Sequence, residues 1–361
     1  MMLMVSLPAR INILGSPTDA VEGAYGTVSA AIDRRGGARI EPADGLQLRR
    51  ETGATAMFEP ARIDAPGGFG VEAAAVNALL QYAPELSARL RTRGAAISTW
   101  TTIPTSSGLA GSSVLVLAVL AALRAHAALD PRRYNDYVLA EIAQRAEEHE
   151  LGVVCGFADR YVPVFGGLAY LNYHGKLWHA PLAEEPFVTY ERLDPAVRPL
   201  RFVVATSGVR RDSGTVHGPM REQYLAERRR GGGPLVELAR RIGETAWRGK
   251  IALLADDLPA FGRLVTRNQE LVDELMCRCG FTEGAGDEVR MLVRAASDAG
   301  ALGAKLTGAG GGGAIFAVAV PGTEERLADA LRLAAERRGL DASETFVTSV
   351  AATGLTVAER A

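Results

Sequence analysis

The sequence has very little of what marks secreted, membrane-spanning or nucleic-acid-binding proteins. Its 361 residues include only three cysteines, Cys155, Cys277 and Cys279. So sparse and odd a count argues against a disulfide framework and fits a reducing compartment, and no histidine stands near Cys277 at metal-ligand spacing. The longest apolar run, residues 114–123, is about half of what a bilayer span requires. A net charge of −2 gives no general electrostatic reason to bind nucleic acid or anionic membranes.

Lysine is almost absent, whereas arginine is abundant. The only lysines are Lys176, Lys250 and Lys305, among 40 basic residues. The first residues, MMLMVSLPAR, lack the basic start and the length of a signal peptide. With 48% hydrophobic and 23% charged residues, we expect a globular, cytoplasmic protein of two domains. We expect a monomer or homodimer that acts on a small molecule, with no nucleic-acid or membrane partner.

The most informative stretch is TTIPTSSGLAGSSVLVLAVLAALR at residues 101–124. A loop of small residues from Pro104 to Gly111 is followed by Ser112, Ser113 and an apolar helix. Glycine lets backbone N–H groups approach a ligand, and the first N–H groups of a helix have no partner within it. Together with the helix dipole they favour an anion, so the stretch predicts a phosphate site, with a serine that caps the helix or reaches a phosphate-bound metal. The alternative is a serine-capped core helix after an ordinary turn.

A second glycine cluster, KLTGAGGGGA at residues 305–314, lies between two predicted strands. It matches the pattern GxGxxG, but a dinucleotide-binding loop lies between a strand and a helix early in a βαβ unit. Such a run of glycines is costly in a simple turn, because glycine loses more backbone entropy on folding than any other residue. Close approach of this backbone to a ligand or to another loop is the better explanation.

A third segment, PARINILGSPTD at residues 8–19, carries polar residues near the N-terminus. Arg10 and Asn12 share one face of a predicted strand. Thr18 and Asp19 lie in the turn that follows, where Asp19 could simply brace the turn.

A fourth segment, GVVCGFADRY at residues 152–161, places Asp159 next to Arg160 in a glycine-flanked loop. An aspartate in such a loop could act as a general base. It could equally be one half of a solvated ion pair.

Hydrophobic periodicity and turn signals predict alternating strands and helices along the whole chain. Strands are predicted at 5–14, 27–32, 36–40, 46–50, 96–102, 168–173, 176–180, 200–205, 301–307, 314–320 and 344–350. Helices are predicted within 67–83, 114–123, 131–150, 155–165, 220–229, 235–255, 258–275, 287–299 and 324–337. A stretch rich in proline and glutamate, 181–198, predicts a boundary that divides domain 1–190 from domain 191–361.

The segments PARINILGSPTD, PTSSGLAGSS and AKLTGAGGGGA resemble, in order and spacing, the three signature motifs of the GHMP kinases. This superfamily includes galactokinase, homoserine kinase, mevalonate kinase and phosphomevalonate kinase, and the resemblance covers nearly the whole chain. The sequence is most similar to glucuronokinase, a sugar 1-kinase, through GSPTD, IPTSSGLAGSS, LGVVCGFADRYVPVFGGLAYLNY and DSGTVH. Heptose-7-phosphate kinases share the pattern around Asp159 and are the nearest alternative. Ala158 departs from the glutamine or similar residue that related sugar kinases carry there.

The resemblance implies an α+β fold with an N-terminal mixed-sheet domain, a C-terminal ferredoxin-like domain and an active site in the cleft between them. ATP would place its phosphates on Pro104, Ser106, Ser107, Gly108, Leu109, Ala110, Gly111, Ser112 and Ser113. Mg²⁺ would be held by Ser113 and Glu148, which stands eleven residues before Asp159, with Glu150 as the alternative.

The resemblance also implies that Asp159 takes the proton from a sugar hydroxyl, with Arg10 beside it to stabilise the developing charge. The implied sugar contacts are Ser16, Thr18, Asp19, Arg160, Tyr161, Arg210, Arg211, Ser213, Thr307, Gly308, Ala309 and Gly310. Arg160, Arg210 and Arg211 are candidates for a uronate carboxylate, although Arg160 could equally pair with Asp159 or Glu148. By position alone, residues 67–70 and Trp100 would border the adenine.

The expected reaction is ATP-dependent phosphorylation of the anomeric hydroxyl of a sugar acid, D-glucuronate first. A heptose 7-phosphate or a neutral sugar is the alternative acceptor. A catalytically silent sensor of sugar and nucleotide is the alternative of a different class, and the intact Arg10, Ser113, Glu148 and Asp159 argue against it.

Overall fold

A computed structural model describes residues 1–21, 25–50, 53, 55–59, 62–64, 68–176, 181–209, 214–340 and 344–360. Within these ranges the strands are β1 (Met2–Leu14), β2 (Gly26–Glu41), β3 (Leu46–Arg49), β4 (Thr55–Phe58), β5 (Ala95–Thr101), β6 (Leu168–Asn172), β7 (Thr189–Arg192), β8 (Arg201–Thr206), β9 (Gly303–Leu306), β10 (Ala314–Val318), β11 (Thr345–Ser349) and β12 (Thr356–Arg360). The helices are α1 (Gly70–Tyr82), α2 (Glu85–Arg93), α3 (Gly111–His126), α4 (Asp136–Arg145), α5 (Ala158–Phe165), α6 (Gly214–Arg229), α7 (Pro234–Leu254), α8 (Leu258–Arg278), α9 (Asp287–Asp298) and α10 (Glu324–Glu336).

The N-terminal half is built on a mixed sheet with β1 and β2 at its centre. Its strands lie in the order β12-β1-β2-β5-β3-β4, and β6 pairs with both β2 and β7. The only parallel pair among the described strands is β3 with β5. Alternate residues of β1 are fully buried on one face, namely Val5, Leu7, Ala9, Ile11 and Ile13. The period of two therefore places Arg10 and Asn12 together on the opposite face, as predicted.

Helix α3 forms the core of this half. Its sequence is apolar on nearly every side, and a helix of that kind has to be surrounded by protein. Strands β1, β2 and β5 pack against it, as do helices α1 and α4. The N-terminus of α3 at Gly111 is therefore held in a fixed position by the core. Among the described residues, no helix has the combination of length and apolar character that crossing a bilayer requires.

The C-terminal half contains an antiparallel sheet of four strands in the order β11-β8-β10-β9. Helices α6 to α9 connect β8 to β9, and α10 connects β10 to β11. This is the βαββαβ topology of ferredoxin-like folds with extra helices in the first connection. The sheet packs on a hydrophobic core of its own. The predicted α+β fold of two domains is confirmed.

Two strand predictions differ from the structure. The strands predicted at 27–32 and 36–40 form the single strand β2, because Asp33 and Arg34 are accommodated by a bulge opposite Pro8 and Ala9 rather than by a turn. The strand predicted at 176–180 lies mostly outside the described residues, and β6 pairs with β7.

The chain ends in a strand that the sequence analysis did not anticipate. Strand β12 pairs with β1, from Met2 opposite Arg360 to Ser6 opposite Thr356. It follows that the C-terminal residues lie in the N-terminal sheet, which a division at residue 190 does not capture. Helix α6 also begins at Gly214 rather than at residue 220.

Helix α8 and strand β9 approach each other through two glycines. A Cβ atom on Gly262 would lie 2.1 Å from the carbonyl oxygen of Leu302, and one on Gly303 would lie 2.4 Å from the carbonyl oxygen of Gly262. Neither neighbour is a flexible side-chain end, so the backbones themselves would have to separate. This contact sets how closely α8 packs on the C-terminal sheet.

We predict that Gly262→Ala lowers the free energy of unfolding by about 1–3 kcal/mol, the usual cost of overpacking. Gly218→Ala in α6 is the matched control, because a Cβ there meets no atom of the described residues within 4 Å. It should leave stability unchanged or raise it by up to about 1 kcal/mol. Denaturant unfolding of the three proteins measures both effects, and equal losses would contradict the close approach.

Candidate active site

A cavity of about 720 Å³ lies between the two halves. The turn after β1, the loop before α3, the loop before α5 and the glycine cluster after β9 all border it. The bordering residues include Arg10, Asn12, Ser16, Asp19, Pro104, Ser106, Ser107, Gly108, Ala110, Gly111, Ser112, Gly156, Asp159, His217, Gly308, Ala309, Gly310, Gly312 and Gly313. The structure thus brings all four polar segments of the sequence to one place.

The loop before α3 contains residues in the left-handed backbone region. Ser106, Gly108 and Ala110 have φ angles of 54°, 72° and 66°. Such angles are uncommon for serine and alanine and cluster at ligand sites. The helical bonds begin with the N–H of Val114, which donates to the carbonyl of Ala110 at 3.0 Å. The N–H groups of residues 111–113 are not used within the helix and can bind an anion.

Arg10, which stands on strand β1, joins that strand to the segments that carry Asp159, Gly108 and Thr307. Its Nε and Nη2 donate to Oδ1 of Asp159 at 2.8 and 2.6 Å. Its Nη1 donates to the carbonyl of Gly108 and, at 3.5 Å, to that of Thr307. The Arg10 side chain is only 4% exposed, whereas that of Asp159 is 15% exposed. Asp159 is therefore held by a permanent positive charge while part of its carboxylate faces the cavity.

The two glycine loops touch each other beside Arg10. A Cβ atom on Gly108 would lie 2.8 Å from the Cα of Gly308, and a Cβ atom on Gly308 would lie 2.8 Å from the Cα of Gly108. Further along, the N–H of Gly313 donates to the carbonyl of Val209 at 3.0 Å. Backbone-to-backbone contact therefore explains these glycines, in agreement with the close approach predicted from the sequence.

Asp19 and Ser16 form the end of the cavity nearest to Asp159. The Oδ2 of Asp19 accepts the N–H of Ala158 at 3.2 Å, and a Cβ on Gly156 would lie 2.1 Å from that same oxygen. Burial, followed by the nearby Asp159 carboxylate, raises the pKa of Asp19 to about 6. Near neutral pH this carboxyl is close to its point of ionisation and can exchange hydrogen bonds with alcohols.

His217 is a site residue that the sequence analysis quoted within DSGTVH but did not select. Its imidazole borders the cavity from α6 and is 8% exposed, and among the described residues its Nδ1 has no hydrogen-bond partner. Burial lowers its pKa to about 4, so the ring is neutral near pH 7. A neutral, unpartnered imidazole can exchange a hydrogen bond with a ligand hydroxyl.

Glu147 is the carboxylate that lies beside the two serines of α3. The Ser113 hydroxyl donates to its two oxygens at 2.8 and 3.0 Å, and the Ser112 hydroxyl donates at 2.9 Å. The described residues contain no group of three or more His, Cys, Asp or Glu side chains suited to a metal. Carboxylate and hydroxyl oxygens are donors that Mg²⁺ prefers, so the set has the chemistry of a magnesium site, with Ser112 at the cavity border and Ser113 and Glu147 buried behind it.

The pairing of Ser113 with Glu148 or Glu150 predicted from the sequence differs from this geometry. Glu148 pairs with Arg221 at 2.9 Å, and Glu150 pairs with Arg62 at 2.9 Å. All three glutamates lie on one π-helical turn, Ala146–Glu150. On this turn it is Glu147 whose carboxylate accepts the Ser113 hydroxyl.

Four predicted sugar contacts do not reach the cavity, because other partners occupy their side chains. Thr18 donates to the carbonyl of Gly15 at 2.6 Å, and Thr307 accepts the N–H of Asn12 at 2.9 Å. The hydroxyl of Tyr161 donates to Glu141, and Arg160 pairs with Glu147 at 2.8 Å.

The remaining predicted residues divide into three groups. The first group borders the cavity and consists of the predicted phosphate-loop residues other than Leu109 and Ser113, together with Ser16, Asp19, Gly308, Ala309 and Gly310. The second group, Leu109 and Ser113, is buried behind the cavity. Arg210, Arg211 and Ser213 lie outside the described residues.

Four aliphatic residues also border the cavity, namely Val71, Leu115, Leu151 and Val153. Residues 68–70 and Trp100, which were predicted to border the adenine, are not among the residues that border it, and residue 67 lies outside the described residues. The signal of the four aliphatic residues in the sequence is weak, since scattered aliphatic residues on three different elements form no local pattern.

Two family models match the chain, the GHMP kinases N terminal domain over residues 71–167 and the GHMP kinases C terminal over residues 250–337. The chain belongs to the GHMP kinases. As a GHMP kinase, it is an ATP-dependent phosphotransferase with an alcohol on a small molecule as acceptor.

The relatives of this GHMP kinase act on different acceptors. Glucuronokinase 1 of Arabidopsis thaliana is 27% identical over 90% of this chain and 88% of that protein. Mevalonate kinase of Pyrococcus abyssi is also 27% identical, over 92% of this chain and 93% of that protein. D-glycero-alpha-D-manno-heptose 7-phosphate kinase of Campylobacter jejuni is 25% identical over 65% of this chain and 64% of that protein. Relatives at similar identity thus act on different acceptors, and the preference for glucuronokinase stays a prediction.

A solved structure supports the fold. Galactokinase of Lactococcus lactis, crystallised with galactose, superimposes with a TM-score of 0.74 at 19% identity. The match covers 98% of this chain and 95% of that one.

The raised pKa of Asp19 predicts a specific pH dependence of stability. Because the folded pKa of about 6 exceeds the ordinary value of 3.8, the stabilising contribution of Asp19 is complete below pH 4 and is lost as the pH rises through 6. The unfolding free energy of the wild type minus that of Asp19→Asn should therefore fall by up to about 3 kcal/mol between pH 4 and pH 7. Denaturant unfolding at several pH values measures this difference, and a constant difference would refute the shift.

Proposed function

We propose that this GHMP kinase uses ATP to phosphorylate the anomeric hydroxyl of a sugar acid, with D-glucuronate as the preferred acceptor. The observation that carries the transfer chemistry is the Arg10–Asp159 pair, located where the two glycine loops meet. A carboxylate next to an anion-binding helix N-terminus is suited to deprotonating an alcohol close to a bound phosphoryl group.

ATP would bind along the length of the cavity. Its phosphates would lie on residues 104–113, where free N–H groups and the dipole of α3 offset their negative charge. Its adenine would lie against the aliphatic side chains of Val71, Leu115, Leu151 and Val153. Glu147 with the hydroxyls of Ser112 and Ser113 would hold Mg²⁺, which when bound offsets the charge of the phosphates.

The acceptor would bind at the opposite end of the cavity. Ser16, Asp19 and His217 would hold its hydroxyls by hydrogen bonds, since all three border this end. Asp159 would take the proton of the attacking hydroxyl. Arg10 would keep Asp159 in place and stabilise the charge that develops as the proton is transferred.

The choice of a uronate rests on the local motifs and on the residues that follow β8. The segment DSGTVH resembles glucuronokinase, and it brings His217 to the cavity border. Arg210 and Arg211 stay the proposed partners of the carboxylate, because arginine binds carboxylates in a bidentate manner. The heptose 7-phosphate alternative is favoured by the similarity to the Campylobacter kinase, and the same arginines would then meet a phosphate.

A panel of acceptors tests the proposal. ADP release would be measured with D-glucuronate, D-galacturonate, D-glucose, D-galactose, mevalonate and heptose 7-phosphate, and the product would be identified by phosphorus NMR. D-glucose is the matched control for D-glucuronate, because the two differ only at carbon 6. We expect the highest kcat/KM with glucuronate and phosphate on carbon 1. A higher value for mevalonate or the heptose, or phosphate on another hydroxyl, would replace the acceptor.

Asp159→Asn tests the general-base assignment. The amide cannot accept the proton, so kcat should fall by about 10²–10⁴-fold, while ATP affinity measured by calorimetry stays near that of the wild type. Asp194→Asn is the matched control, because Asp194 pairs with Arg192 outside the cavity. Near-normal turnover of Asp159→Asn would assign the proton transfer to another group.

A further inference from the structure

Arg160 is a fully buried arginine that touches the proposed metal carboxylate. Its side chain has no solvent exposure, and its Nη2 lies 2.8 Å from Oε2 of Glu147, which is itself 1% exposed. The guanidinium also donates to the carbonyl of Gly156 and to the Sγ of Cys155. Within the part of the chain that the structure describes, its Nε has no hydrogen-bond partner.

An arginine in this position is not explained by stability alone. Burying a guanidinium with one N–H left unpaired is costly, and apolar residues of similar volume are often at least as stable. Burial by itself lowers the pKa of Arg160. The acidic neighbours, Cys155 and Glu147 first among them, have the larger effect, so the pKa is raised overall. The residue is therefore a permanent cation inside the protein, directly behind the carboxylate.

The carboxylate needs a counter-charge whenever no metal is present. The hydroxyls of Ser112 and Ser113 donate to Glu147 but carry no charge. An uncompensated carboxylate that is buried is strongly destabilising. The other two acidic groups nearby have their own cations, Asp159 with Arg10 and Glu148 with Arg221.

We propose that Arg160 is a positioning residue that serves as the resident counter-ion of Glu147 before Mg²⁺ binds and then competes with Mg²⁺ for that carboxylate. The inference rests on the proposed magnesium role of Glu147. It replaces the sugar contact that the resemblance implied for Arg160. It predicts a protein that is stable and preorganised without metal but binds the metal less tightly than an unpaired glutamate would.

Thermal unfolding of Arg160→Gln tests this proposal without any acceptor. Melting temperatures would be measured for the protein alone, with the non-hydrolysable analogue AMP-PNP in EDTA, and with AMP-PNP and Mg²⁺. Without ligand the variant should melt roughly 6–10 °C below the wild type, because Glu147 loses its counter-ion. The additional rise that Mg²⁺ brings should be at least twice that of the wild type, and the rise in EDTA should match the wild type.

Arg145→Gln is the matched control. Arg145 is also a buried arginine of this half, but the carboxylates that it pairs with, Glu141 and Glu185, are not the carboxylate that accepts the Ser112 and Ser113 hydroxyls. It should lose stability while showing the Mg²⁺-dependent rise of the wild type. If Arg160→Gln behaves in the same way, Arg160 is structural and the proposal is wrong.

Two further variants keep the test decisive if Arg160→Gln folds poorly. Arg160→Lys retains the charge and should restore the metal response of the wild type. The double variant Arg160→Gln with Glu147→Gln should melt above Arg160→Gln, because no charge is then left unpaired; a lower melting temperature would overturn the proposal.

The outcomes also separate this inference from the proposed acceptor. A raised KM for the sugar in Arg160→Gln with an unchanged metal response would return Arg160 to the sugar site. No Mg²⁺ effect in the wild type would remove the metal role of Glu147 and this inference with it. A normal Mg²⁺ effect without turnover of any uronate would overturn the acceptor alone.

Discussion

The guanidinium of Arg10 is the contact on which the site depends. It binds Asp159, the carbonyl of Gly108 in the loop before α3 and the carbonyl of Thr307 before the glycine cluster. Three segments far apart in sequence therefore converge on one side chain, and that side chain stands on the central strand β1, whose other face is fully buried. A planar, permanently charged group with five donors suits this task, because several acceptors in different directions can be satisfied at once. Arg10 in this way fixes the position of both glycine loops relative to the sheet.

Charge in the cleft is arranged as carboxylate–arginine pairs rather than as a diffuse field. Arg10 with Asp159 faces the cavity, Arg160 with Glu147 lies behind it, and Arg221 with Glu148 joins α6 to the π-helical turn. The last of these pairs links the two halves of the molecule, and Arg221 also donates to the carbonyl of Ala20 at 2.9 Å. A site that receives a polyphosphate and a divalent cation needs ionised acidic groups but no excess of negative charge. One arginine for each carboxylate meets both requirements.

Local patterns were sufficient where a residue's role follows from its neighbours in the chain. Alternation along β1 placed Arg10 beside Asn12, and the small-residue loop before an apolar helix indicated a segment that does border the cavity. They failed where the answer depends on contacts made at a distance. The carboxylate that meets Ser113 is that of Glu147, whereas Glu148 pairs with Arg221, and nothing in the acidic run distinguishes the two. Strand β12 is exposed along its whole length, so it has no hydrophobic alternation to reveal it. The burial of Arg160 follows only from the packing of α5 against its surroundings.

Lys305 shows why lysine persists in a chain that otherwise uses arginine. It is buried, donates to the carbonyls of Asn12 and Leu306, and lies near Arg10. Burial, together with the charge of Arg10, lowers its pKa to about 7. An arginine there would stay charged at any physiological pH and would place two permanent cations side by side without solvent between them. A lysine can lose its proton and still donate hydrogen bonds to both carbonyls. Lysine at this position therefore makes both hydrogen bonds without adding a second permanent charge near Arg10.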